Sequence, residues 1–113
     1  MHEMALAEGV REIVEETARR HGAARVRSVR LEIGRLAPVD AAALRLAFEF
    51  VKRGSVADSA RLDVVEDEGS AWCMRCCESV AIAARGEPCP KCAHYQLQIT
   101  GGEGMRVLDV EIA

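Results

Sequence analysis

Cys73-Met74-Arg75-Cys76 is followed, after twelve intervening residues, by Cys89-Pro90-Lys91-Cys92. Each pair sets two thiols on one tight turn, and two such turns facing each other offer a closed tetrahedron of sulfur, the arrangement of structural Zn(II) sites. The spacer is a little shorter than the usual zinc-ribbon range, yet long enough for a hairpin through Val80, Ile82 and Ala84. A segment this small has almost no core to bury, so metal binding has to supply most of its folding free energy. Four thiolates leave no open position for a catalytic water, which argues against catalysis at this metal. A redox dithiol normally needs one such pair at a strand-to-helix junction, and two pairs in a glycine- and proline-punctuated segment favour zinc instead. Cys77 is left over, as a rival to Cys76 or as a thiol lying outside the tetrahedron.

The cysteine run lies between two joints, Glu66-Asp67-Glu68-Gly69-Ser70 and Gly101-Gly102-Glu103-Gly104. Beyond the second, Leu108, Val110 and Ile112 alternate with Asp109 and Glu111, a strand with no partner nearby in sequence. Its partner has to lie upstream, where Val29, Leu31 and Ile33 alternate with Ser28, Arg30 and Glu32. The spacing therefore predicts an α+β fold in which residues 70–100 form a four-cysteine, zinc-ribbon-like module inserted into a domain made of residues 1–69 and 101–113. That domain holds a small sheet of about three strands and two helices. The first helix runs from Met4 to His21 with Leu6, Val10, Ile13, Val14 and Thr17 at helical spacing, and Gly22 ends it. The second begins after Asp40, a good N-cap, and buries Leu44, Ala47, Phe48 and Val51 before Gly54. Leu62 and Val64 mark a further strand, and Trp72 is expected to pack at the joint.

At the other end stands Met1-His2-Glu3. A free α-amino nitrogen, the next peptide nitrogen and the His2 imidazole close a five-membered and then a six-membered chelate ring on one ion. Such tetragonal nitrogen donation suits Ni(II) or Cu(II), with the fourth position left to Glu3, a distant histidine, water or a partner's donor. From these three residues alone a solvated terminus is the commoner outcome. His94 and His21 are the distant candidates, and an exposed histidine is the commoner reading of each.

Of the 113 residues half are apolar, but only Phe48, Phe50, Trp72 and Tyr95 are aromatic, so the core is expected to be aliphatic. The net charge of −3 is interspersed, which points away from nucleic acid and anionic lipid as partners. No apolar run approaches a membrane span, and the chain opens with charge rather than a signal peptide. A cytoplasmic protein with reduced cysteines is the expectation. The main rival class is a zinc-ribbon interaction or nucleic-acid module, which usually shows a basic patch or stacking aromatics; here Arg75, Arg85 and Lys91 are offset by Glu78 and Glu87.

Taken together, the chain resembles the HypA/HybF family of hydrogenase maturation nickel chaperones over essentially its whole length. The resemblance rests on the Met-His-Glu start, Val29-Arg30-Leu31-Glu32-Ile33-Gly34-Arg35-Leu36 with Val39, Phe48-Glu49-Phe50, both cysteine pairs, and the closing Gly102-Glu103 and Val110-Glu111-Ile112. It implies a non-enzymatic carrier that binds Ni(II) as cargo at Met1, His2 and Glu3 and holds structural Zn(II) through Cys73, Cys76, Cys89 and Cys92. It further implies delivery, with a hydrogenase-maturation GTPase, to the large subunit of [NiFe]-hydrogenase, and in some members service to urease and its accessory proteins. Whether the chain is a monomer or a dimer is left open. Two positions depart from the family pattern: the residue after the second cysteine of each pair, often glycine, is here Cys77 and Ala93, where a left-handed backbone would favour glycine.

Overall fold

A computed structural model describes residues 2–113. The elements in chain order are α1 (His2–Arg20), β1 (Val26–Gly34), α2 (Ala41–Val51), β2 (Arg61–Asp67), β3 (Gly69–Cys73), β4 (Glu78–Ile82), β5 (Leu97–Gly101) and β6 (Met105–Ile112). They form two three-stranded sheets, ordered β2-β1-β6 and β4-β3-β5, in an α+β chain with two helices. Contacts divide it into two compact units. The first holds the described residues up to Glu32, with Val39–Val65 and Arg106–Ala113, and the second holds Ile33–Pro38 with Glu66–Met105. The turn after β1 thus belongs with the cysteine-bearing segment, whereas composition alone places residues 33–38 in the main domain.

In the first unit α1 packs on α2. Its buried stripe is Ala7, Val10, Val14 and Ala18. Periodicity picks Ile13 as a core residue, yet it is 49% exposed, because the buried stripe through Val10 and Val14 leaves it on the flank. α2 starts as its sequence dictates: Asp40 accepts a hydrogen bond from the Ala43 N–H at 3.1 Å, satisfying an orphan donor of the first turn. Leu44, Ala47 and Phe48 are buried beneath it. On β1 Val29 and Leu31 are fully buried. The opposite face carries polar pairs to β6: Ser28 Oγ donates to Glu111, Arg30 pairs with Asp109 and Arg106 with Glu32. Residue numbers fall on β6 as they rise on β1, the signature of antiparallel pairing.

The second unit has a much smaller core: Leu36, Ala71, Cys73, Val80, Ile82 and Cys89, with Leu97 and Ile99 packed against it. β3 pairs antiparallel with both β4 and β5. The strand through Val80 and Ile82 thus exists, but its hairpin partner is β3, which ends on Cys73, instead of lying in the spacer. Residues 34–36 are tied to both arms of this unit, Gly34 N–H to Gly104 O, Arg35 N–H to Asp67 O and Leu36 N–H to Gly102 O, each at 2.8 Å. Glycine is required at Gly102, with φ +82°, where a Cβ would lie 2.7 Å from the Gly69 Cα. Trp72 is 39% exposed on the face of β3 opposite Ala71 and Cys73, beside Ser79 and Gln98, and does not pack into a joint.

Candidate metal centres

The two cysteine pairs fold into matching knuckles. In the first, the Cys77 N–H donates to Cys73 O at 2.8 Å and the Cys76 N–H points at Cys73 Sγ at 3.3 Å. In the second, the Ala93 N–H donates to Cys89 O at 2.8 Å and the Lys91 N–H points at Cys89 Sγ at 3.4 Å. The residue closing each turn has a left-handed backbone, φ 55° at Cys77 and 64° at Ala93. A Cβ in that conformation meets the following carbonyl, at a cost of about 1–2 kcal/mol per residue. The departure from glycine at these two positions therefore falls where the backbone least tolerates a side chain.

The turns bring four sulfurs together. Cys73 Sγ lies 3.6 Å from Cys92 Sγ and Cys76 Sγ 3.9 Å from Cys89 Sγ, and all four sulfurs fall within 4.8 Å of one another. A zinc tetrathiolate with bonds of about 2.3 Å has sulfur-sulfur edges of ~3.8 Å. Cys73 and Cys89 are buried, Cys76 and Cys92 half-buried, and Cys77 stays outside the cluster with its sulfur turned toward Met74 O. Without a cation the four thiols cannot all ionise. The Cys76 N–H lowers the Cys73 thiol to about 7, while the neighbouring Cys92 sulfur, with burial adding to it, pushes Cys76 up to about 12. A divalent cation removes that conflict, and the donor set fits zinc. Neither pair sits at the N-terminus of a helix, the setting that activates a redox thiol.

At the N-terminus, Met1 lies outside the described residues. His2 opens α1 with a side chain 55% exposed, and its Nδ1 is 3.6 Å from Glu3 Oε2. That same carboxylate oxygen accepts the Asp40 N–H at 3.3 Å, just ahead of α2. This hydrogen bond is the main reason that Glu3 titrates below the ordinary carboxylate value. Glu3 therefore joins the two helix starts, a role that its place in the sequence does not reveal.

The two distant histidines are engaged locally. His21 follows the end of a 19-residue helix, about 28 Å from its start, and its Nδ1 contacts Thr17 O at 2.9 Å. It cannot complete a site at His2 of the same chain. His94 is half-buried, with its Nε2 against the Arg75 guanidinium.

An apolar cavity of about 220 Å³ beside Glu3, lined by Met4, Ala43, Leu46, Ala47 and Phe50, has no counterpart in the sequence expectations. Leu46 and Phe50, four residues apart and off the Leu44-Ala47-Phe48 stripe, are the signal that could have revealed it.

Comparison with known proteins agrees with this geometry. Residues 1–112 match the family model described as hydrogenase/urease nickel incorporation, metallochaperone, hypA. The chain is 54% identical to hydrogenase maturation factor HypA 2 of Bradyrhizobium diazoefficiens, covering 99% of each chain. It is 53% identical to hydrogenase maturation factor HypA of Cereibacter sphaeroides, again over 99% of both. The solution structure of the Ni metallochaperone HypA from Helicobacter pylori superposes with a TM-score of 0.70 at 28% identity, covering 97% of this chain and 96% of that one. A second HypA solution structure gives 0.74 at 29% identity, over 100% of this chain and 97% of that one. With cluster, fold and sequence in agreement, the chain belongs to the HypA family of nickel-incorporation metallochaperones, maturation factors and not enzymes.

Proposed function

We propose that this chain carries Ni(II) at its N-terminus, through the Met1 α-amino nitrogen, the His2 peptide nitrogen and the His2 imidazole, and surrenders it during [NiFe]-hydrogenase maturation. Cys73, Cys76, Cys89 and Cys92 hold a resident Zn(II). The reading is carried by the whole-chain family match joined to an exposed imidazole whose Nδ1 lies 3.6 Å from the Glu3 carboxylate. Nδ1 is the nitrogen that closes a six-membered ring with the preceding peptide nitrogen.

Two further points of physical chemistry support it. The first N–H groups of an α-helix have no intrahelical partner, so a metal can take the place of the His2 amide proton, which passes to solvent, without breaking α1. The same helix terminus carries a partial positive charge of roughly half a unit, which opposes a cation. The deprotonated amide and the Glu3 carboxylate offset it. Binding releases protons, so nickel affinity falls steeply on acidification. A donor from a partner entering the open position draws the ion out. The recipient is the hydrogenase large subunit, reached together with a maturation GTPase, with urease accessory proteins as a further route, and the site of action is the cytoplasm, where the cysteines stay reduced.

Nickel titration of the native protein against His2→Ala, with metal content measured in parallel, tests this. Loss of the nickel site with full retention of zinc is expected. Unchanged nickel affinity in His2→Ala would remove the N-terminus from the account.

A further inference from the structure

We propose that Arg75 and Lys91 form a reciprocal latch across the two knuckles, and that this latch sets how slowly zinc leaves the cluster. The two cations occupy equivalent places, each immediately before the second cysteine of its pair. Each reaches the residue two positions beyond the second cysteine of the other pair. The Lys91 ammonium pairs with the Glu78 carboxylate, and Arg75 Nη1 lies against His94 Nε2 and 3.4 Å from its Nδ1. Knuckle one thus holds the tail of knuckle two, and knuckle two holds the tail of knuckle one.

The partners are fixed points. Glu78 opens β4 directly opposite Cys73 in the ladder. The His94 carbonyl accepts the Cys89 N–H at 2.7 Å, closing the second turn. Complete release of the metal breaks its bonds to both cysteine pairs, and parting the pairs opens the path for a chelator to enter. That motion separates the knuckles and stretches both braces. The braces also set positive charge beside a zinc tetrathiolate that carries two negative charges in excess.

Latching and simple charge compensation make opposite forecasts for one substitution. This rests on zinc ligation by the four cysteines as proposed above. Zinc-loaded protein is mixed with excess chromogenic chelator and the release rate is read by absorbance. Glu78→Lys and Lys91→Glu, each breaking one brace, are expected to release zinc about two- to five-fold faster, the scale of an exposed ion pair. The exchanged pair Glu78→Lys with Lys91→Glu is expected to return to near the native rate. Arg75→Gln, which breaks the other brace, is expected to speed release by a similar factor. Slower release in Glu78→Lys, or an exchanged pair no slower than its single variants, overturns the latch while leaving zinc ligation intact. Native protein that purifies without stoichiometric zinc overturns the ligation and the latch with it.

Discussion

The cysteine cluster and the His2-Glu3 segment differ in nearly everything that decides how firmly a metal is kept. The cluster draws four like donors from two knuckles, with two of the sulfurs buried and backbone N–H groups already aimed at them. The N-terminal segment offers one imidazole, 55% exposed, at the first turn of a helix. The supporting cores differ in the opposite sense. The unit bearing His2 is held by a conventional apolar core around Leu31, Leu44 and Phe48, whereas the cysteine unit counts two of its own candidate ligands among its six buried core residues. The exchangeable site proposed at the N-terminus would therefore stand on a scaffold that needs no metal, whereas the cysteine cluster is itself part of its scaffold.

The sharpest way to break this contrast is to remove zinc. Chelation or Cys73→Ser is expected to cost the second unit a stabilisation on the order of 10 kcal/mol, collapsing the amide NMR dispersion of residues 69–101 while α1 and α2 keep their helical signals. Equal loss in both units would show that the first depends on the metal as well. In the other direction, Phe48→Ala is expected to destabilise the first unit by about 3–5 kcal/mol, seen as an earlier thermal transition with zinc content unchanged. A smaller effect concerns Glu3, beside the proposed nickel site. The Glu3 to Asp40 hydrogen bond holds the carboxyl below its ordinary value of 4.5, so its contribution is complete above that value and is lost as the pH falls through the lowered one. The Glu3 side-chain carboxyl carbon resonance is expected to titrate with a midpoint below 4.5 in the native protein, and a midpoint at or above that value would show that the Asp40 N–H does not hold it. The smallest expected effect is a gain: Ala93→Gly relieves a left-handed alanine and, net of glycine's entropy, is expected to raise the stability of the zinc-bound second unit by about 1 kcal/mol.

Much of this was legible in the chain. The cysteine spacing located the cluster, alternation located β1 and β6, and Asp40 announced the start of α2, because each of these depends on neighbours in sequence. What stayed hidden depends on tertiary placement. β3 reads Gly69-Ser70-Ala71-Trp72-Cys73, and its buried positions are glycine, alanine and a cysteine, so hydrophobic alternation is silent there. The buried stripe of α1 uses Ala7 and Ala18, which periodicity undervalues, and Ile13 lies exposed on its flank. The assignment of residues 33–38 to the second unit follows from backbone hydrogen bonds to residues 67, 102 and 104, which no local pattern encodes. Glu3 could be read as a donor beside His2, but its hold on Asp40 joins positions 37 residues apart.

The central claim is that an exchangeable nickel site at the N-terminus uses the terminal amine itself. Calorimetric nickel titration of the native protein against one whose N-terminal amine is acetylated tests it most directly. The acetylated protein is expected to lose the nickel site while retaining its zinc and its fold, since an amide replaces the amine and no new amine is introduced. Equal nickel affinity in the two proteins would contradict the account.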